Sequence, residues 1–248
     1  MVKGLDTFQK YFADYEEQYV LIGGAACDIL FESNEVNFRA TRDLDMVLIV
    51  EALTPEFGEK FWKFIVDGKY RNKATNGSTP QFYRFDKPED DNFPKMIELF
   101  CRSDFKLKDA KGITPIHIDD EVSSLSAILL NDDYYKALLN GKEVRKGLSV
   151  LRPEYIILFK AKAYLDLKKQ KDLGEKVDSS DIKKHKKDVL RIASELMLEK
   201  VEELPIAVDA DIHSFIDLLE QEPFDQNSLK RFGLKNEDVV EVLKQVFG

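Results

Sequence analysis

"FRATRDLDMVLIV", Phe38–Val50, is the stretch on which the reading of this chain turns. Asp43 and Asp45 stand two residues apart where a polar segment gives way to an apolar, β-prone run, Leu44–Val50. Such a run is expected for a strand covered on both faces. A strand has a two-residue side-chain period, so both carboxylates project from one face. Two close carboxylates repel and shift each other's pKa, and a divalent cation removes that cost. Mg²⁺ is commonly held by one or two carboxylates plus substrate phosphates. Two such ions roughly 3.5–4 Å apart can clamp the attacking and leaving oxygens of a phosphoryl or nucleotidyl transfer. A bare D-x-D otherwise reads as a loop or edge pair pointing into water. Here the apolar run behind it places the pair at the end of a buried strand.

Upstream lies "YVLIGGAACDIL", Tyr19–Leu30. Tyr19–Ile22 reads as a short strand running into Gly23-Gly24, and Ala25–Phe31 returns to a helical pattern. Two glycines at a strand-to-helix turn let backbone N–H groups approach a phosphate, and the helix N-terminus adds a favourable partial charge. A lone GG usually reflects tight packing; followed by a strand-borne D-x-D it is more specific. Cys27 reads as a small core residue. Asp28 faces either the site or solvent.

Working outward, Leu5, Phe8, Phe12 and Tyr15 recur at helical spacing, which predicts a helix over 5–18. Asn34–Thr41 is loop-like. Thr54 and Pro55 start a helix as N-cap and first residue, running to about Val66. Trp62 reads as core. After the turn cluster "NGSTP" (Asn76–Pro80), Gln81–Phe85 and Lys95–Cys101 read as two strands. Ile116–Ile118 and Leu125–Leu130 are further short strand candidates. Glu98 sits alone in the apolar "KMIELF", where an acid is expensive unless paired or metal-bound; the alternative is an edge strand with Glu98 facing water. Asp86 and Asp104 lie at strand ends. Beyond "RPE" (Arg152–Glu154) only helices are expected: Tyr155–Lys171, Asp181–Glu199, Ile212–Leu219 and Asn236–Phe247. The expected fold is α+β. A mixed sheet flanked by helices fills residues 1–150, and an all-helical domain fills 151–248.

Composition bounds the function. The chain has 248 residues, enough for a buried core in one large or two modest domains. No apolar run reaches the roughly 18 residues of a membrane span, and the N-terminus lacks a signal-peptide pattern, so a cytoplasmic location is expected. Two cysteines cannot make a disulfide framework, and three scattered histidines show no metal-ligand spacing. The net charge of −9 argues against broad nucleic-acid coating. It hides an asymmetry: Lys160–Arg191 carries eleven Lys/Arg against six Asp/Glu, and Ile192–Gly248 five against thirteen. A basic segment in an acidic protein suggests a local anionic ligand; the plainer reading is a solvated, lysine-rich helix face. His185 reads as surface-exposed.

"IGGAACDIL" followed by "RATRDLDMVLIV" resembles the nucleotidyltransferase superfamily of DNA polymerase beta type, whose signature is an apolar residue, G-[GS], a spacer and D-x-[DE] on a strand. The spacer from Gly24 to Asp43 holds eighteen residues, similar to the branch with the AbiEii-type abortive-infection toxins and the aminoglycoside and lincosamide nucleotidyltransferases. Arg39, Thr41, Asp43, Leu44 and Asp45 match that branch's R-x-[TS]-x-D-[LI]-D. "LRPEYIILFKAKAYLDL" is similar to its P-x-x-L-x-x-K-x-x-A helix, aligning Lys160 and Ala163; "KHKKDVLRIA" is similar to its later KD element, matching Lys187 and Asp188. Arg191 stands where the branch often has a second Asp.

The resemblance implies a metal-dependent enzyme moving an NMP from an NTP to a hydroxyl acceptor. Asp43 and Asp45 would hold Mg²⁺ or Mn²⁺, and Glu98 would be the third acid, as ligand or general base. Gly23, Gly24, Arg39, Thr41, Lys160, Lys187 and Asp188 would bind the nucleotide, the helical domain completing its cleft. The implied acceptor is RNA or protein in a toxin-like enzyme, with a cognate antitoxin as partner, or a small molecule in an antibiotic-modifying one. A third possibility is an inactive nucleotide-binding module.

Overall fold

The computed structural model describes residues 2–33, 43–72, 82–101, 128–129 and 131–248. Two compact units emerge: Met1–Ile118 with Lys142–Leu151, and Asp119–Gly141 with Arg152–Gly248. The first holds a mixed sheet flanked by helices and the second is helical, an α+β chain as expected.

The sheet strands are β1 (Tyr19–Ile22), β2 (Asp43–Leu48), β3 (Arg71–Asn72), β4 (Phe82–Asp86), β5 (Met96–Cys101), β6 (Lys142–Arg145) and β7 (Leu148–Leu151). Their order is β3-β4-β5-β2-β1-β7-β6. Pairs β2/β5 and β1/β7 are parallel; the other pairs are antiparallel. All residues of β1 and β7 are buried, which fits the unbroken apolar run of β1 and the run of β7, broken only by the small Ser149. The hairpin β6–β7 turns through Lys146 and Gly147, both at positive φ (51° and 68°). Two positive-φ residues give the twist that a two-residue hairpin needs.

Helices α1 (Leu5–Phe12), α2 (Gly23–Ser33) and α3 (Pro55–Asp67) flank this sheet. Helix α1 is shorter than its periodicity suggests: Asp14 adopts φ 72°, and a 3₁₀ turn over Glu16–Gln18 leads into β1. Helix α3 starts as read from the sequence, with the Thr54 hydroxyl accepting from Phe57 N–H at 3.3 Å and Pro55 at the first position. Phe8 and Phe12 of α1 and Phe57, Phe61 and Phe64 of α3 are fully buried. Their rings meet at 5.6 Å (Phe12–Phe57) and 5.4 Å (Phe12–Phe64), and Phe61 reaches Phe85 of β4 at 5.5 Å. Each buried ring contributes about 1.5–3 kcal/mol. Trp62 is half-buried rather than core, its ring against Phe61 and Phe85. Helix α2 is apolar nearly all round; Ala25 to Phe31 are buried, Cys27 and Asp28 included, and the helix packs on β1 and β2.

The helical unit comprises α4 (Asp132–Asn140), α5 (Pro153–Asp172), α6 (Ser179–Glu195), α7 (Ile206–Gln221), α8 (Gln226–Phe232) and α9 (Asn236–Phe247). Asn131, Asp178 and Asp225 cap α4, α6 and α8 with their side chains. Helix α5 packs on α6 and α7, and α7 on α9. Tyr164 meets Phe215 edge-on at 5.5 Å, as Tyr134 meets Phe159. Helix α6 ends at Glu195, four residues short of the expected Glu199: Leu196 turns extended, and the Glu154 carboxylate takes the Glu199 N–H at 2.6 Å. Of the strand candidate Leu125–Leu130, Ile128 and Leu129 are helical; its other residues, like Ile116–Ile118, lie outside the described residues.

Candidate functional site

Strand β2 lies between β1 and β5, so its side chains meet neighbours on both sides. Asp45 pairs with Ile22 on β1 and with Glu98 on β5; Glu98 pairs in turn with Arg84 on β4. Directly opposed residues share a face. One row across the sheet therefore reads Asp45, Glu98, Arg84, with Asp43 two residues before Asp45 on the same face. Asp43 and Asp45 are half-exposed, whereas Leu44 and Met46 between and after them are fully buried on the opposite face. The alternation in "DLDM" thus resolves as the two-residue period requires, with a wet acidic face and a dry apolar one.

Gly23 follows Ile22 and begins α2 at φ 62°. A Cβ at this position would lie 2.1 Å from Asp45 Oδ2. Glycine is required twice over, for the left-handed backbone and for the space the carboxylate occupies. The strand-to-helix turn and the D-x-D stretch, separated by eighteen residues in sequence, are in direct contact. Gly24 is buried in the first turn of α2.

Glu98 is on an interior strand and only 6% exposed, which removes the edge-strand alternative. Arg84 donates to Glu98 Oε1 through Nε at 2.8 Å and lies 2.6 Å away through Nη2. Burial pushes the Glu98 carboxyl up; the Arg84 charge and hydrogen bond, and a hydrogen bond with Asp45, pull it back down, while the Asp43 charge pushes it up again. Glu98 is engaged on both sides. Arg84 went unremarked in the sequence, although it is the one cation within the β4 run "FYRFD".

Do these residues fit a divalent cation? Asp43 and Asp45 offer hard carboxylate oxygens on one accessible face, the donor type Mg²⁺ and Mn²⁺ take. Among the described residues no three His, Cys, Asp or Glu side chains converge as a metal cluster. An ion held by these two carboxylates would have further positions that suit phosphate oxygens and water.

Arg39 and Thr41 lie outside the described residues, as does Asp104. Lys160, Lys187 and Asp188 belong to the helical unit. Lys160 Nζ lies 3.1 Å from Asp188 Oδ2, with side chains 11% and 4% exposed, a buried ion pair joining α5 to α6. Lys187 is exposed. His185 is buried, at 5% exposure, contrary to its expected surface place; Lys183 and Lys187 turn outward on α6 while it turns in. No helix among the described residues is long and apolar enough to cross a membrane.

No family model matches the chain, and no curated protein matches it. Among solved structures, the crystal structure of an antigenic nucleotidyltransferase-like protein from Paracoccidioides brasiliensis aligns with it over 98% of this chain and 93% of that one, at 17% identity and a TM-score of 0.48.

Proposed function

We propose that the chain is a metal-dependent nucleotidyltransferase, moving an NMP from an NTP to a hydroxyl acceptor. The observation that carries this reading is the contact of Gly23 with the Asp45 carboxylate, which puts the start of α2 beside the Asp43/Asp45 pair. Asp43 and Asp45 would hold Mg²⁺ or Mn²⁺. The bound ion would neutralise phosphate charge and polarise the phosphoryl oxygens. Gly23 and Gly24 keep side chains out of the way, so that backbone N–H groups at the start of α2 can meet phosphate oxygens. Arg84 holds Glu98, which stands directly opposite Asp45 across the β2/β5 pair. Arg39, Thr41, Lys160, Lys187 and Asp188 complete the proposed nucleotide-binding set. Positioning and charge neutralisation would supply most of the rate.

The acceptor in this proposal is RNA or protein, as in a toxin paired with an antitoxin; a small hydroxylated molecule is the alternative. The Arg84 contacts to Glu98 Oε1 favour a second reading, a module that binds nucleotide without transferring it, because they occupy an oxygen that would otherwise take the proton of an acceptor hydroxyl. Incubating the protein and an Asp43→Ala/Asp45→Ala variant with each α-labelled NTP, Mg²⁺ or Mn²⁺, total tRNA, and aminoglycosides and lincosamides separates these readings. Label transferred by the parent alone supports the enzyme and names its acceptor. Metal-dependent NTP binding without transfer supports the module. Neither binding nor transfer rejects both. Glu98→Gln then distinguishes a general base, which loses kcat but keeps metal affinity, from a ligand, which loses metal affinity.

A further inference from the structure

The helical unit contains a cavity of about 590 Å³ between the C-terminal half of α5, the N-terminal half of α6 and the segment from α7 to α8. Its size falls within the range of small-ligand pockets. Five lysines line it: Lys168, Lys171, Lys183, Lys186 and Lys187. Three acids, Asp172, Glu222 and Asp225, stand against them, a local excess of positive charge in a chain of net charge −9.

One of those acids offsets a lysine of the cavity itself, and another caps a helix. Glu222 takes the Lys168 ammonium and the Tyr164 hydroxyl, and Asp225 caps α8 through Ser228 N–H and Oγ, both at 2.9 Å. Lys171 and Lys183 are exposed, and Lys171 donates to Ser179 Oγ at 2.7 Å. Lys186 is held in place at the wall. It donates to the carbonyls of Glu222 and Pro223, and its Nζ sits 5.7 Å from the Tyr164 ring centre and 5.5 Å from that of Phe224. Both rings are buried, so they fix the ammonium without offering a stacking face to a ligand. What remains for a ligand is clustered ammonium charge, which suits phosphate groups. Lys160 is not part of this wall: it lies eight residues before Lys168 on α5, about 12 Å along the helix.

The geometry points to a second anion site, in which the helical unit binds a compact ligand bearing several phosphate groups among Lys168, Lys171, Lys183 and Lys186. Lys187 lines this cavity and also belongs to the proposed nucleotide-binding set, so the test leaves both it and the carboxylates out. The probe is inorganic tripolyphosphate, titrated calorimetrically in EDTA into the full chain carrying Asp43→Ala/Asp45→Ala. Binding is expected, and adding Lys171→Glu/Lys183→Glu should weaken it at least about tenfold. Lys136→Glu/Lys200→Glu makes the same change in net charge away from the cavity and should weaken it less than about twofold. Displacement of tripolyphosphate by hexauridylate would identify nucleic-acid phosphates as the source, and its failure a free polyphosphate. Absence of binding at about 1 mM tripolyphosphate, or equal losses in the two charge-reversed pairs, would overturn the site.

Discussion

Gly23→Ala is the sharpest probe of the site. The added Cβ would lie 2.1 Å from Asp45 Oδ2, and ordinary contact begins at 3.4 Å, so the carboxylate must retreat by about 1.3 Å. The backbone at φ 62° adds the left-handed cost of about 1–2 kcal/mol for a residue with a Cβ. A displacement near 1 Å in a positioned group costs about 10²-fold in rate, or about 2.7 kcal/mol of transition-state stabilisation. Transfer, or metal-dependent NTP binding if that is the readout, should fall by about that factor, while urea denaturation shows a folded protein. A double-mutant cycle isolates the contact. In an Asp45→Ala background the Gly23→Ala change should cost only the backbone term, because the oxygen it strikes is gone. Equal stability losses with and without Asp45 would refute the argument. Gly58→Ala is the control: that glycine lies inside α3 with nothing within 4 Å of a built Cβ, so alanine there should stabilise by about 0.5–1 kcal/mol.

Three further outcomes are expected. Arg84→Met should destabilise the fold by about 2–4 kcal/mol at neutral pH in urea titrations, because it strips the guanidinium from a carboxyl buried in the sheet. Asp188→Ala should cost about 3 kcal/mol by leaving the Lys160 ammonium without that partner, and Lys160→Met/Asp188→Leu should cost less than the single change. Burial raises the Glu154 carboxyl pKa, against hydrogen bonding from the Glu199 N–H. A raised folded-state pKa means that the native state holds this proton more tightly than the unfolded chain. Its contribution is therefore present below the unfolded pKa of about 4.3 and is lost as pH rises through the higher folded value. Glu154→Gln should flatten that part of the stability–pH profile, as read from urea midpoints across pH 4–8.

The parts of the fold legible in the sequence are those whose pattern is local. Thr54-Pro55 announced α3 because capping and a fixed proline φ act within one turn. "DLDM" announced an amphipathic strand mouth because the pleat alternates. What escaped depends on contacts far along the chain or on backbone exceptions. The β6–β7 hairpin was missed because its turn uses Lys146 at positive φ instead of Asn or Asp, the residues that usually signal it. Helix α1 stops early because Ala13 turns extended at ψ 137° and Asp14 then takes a positive φ, although Tyr15 continues the apolar spacing and packs against Phe57. In the candidate site the two aspartates and the glycine turn stood out by composition. Arg84 did not, because its meaning lies in the pairing with Glu98 across two strands, which no spacing within β4 reveals.

The parallel pairing of β1 with β7 has a consequence for how the chain is made. Leu21 finds its partner Val150 only 129 residues later, after the segment Asp119–Gly141 of the other unit has been synthesised. At ribosomal speeds of about 5–20 residues per second, that wait is on the order of ten seconds. Throughout it, a fully apolar strand presents an open edge, the feature from which stray strand pairing starts. The sheet unit is thus a late-closing structure on the ribosome, and a nascent chain arrested before Leu148 should be a strong client for chaperones that bind extended apolar segments.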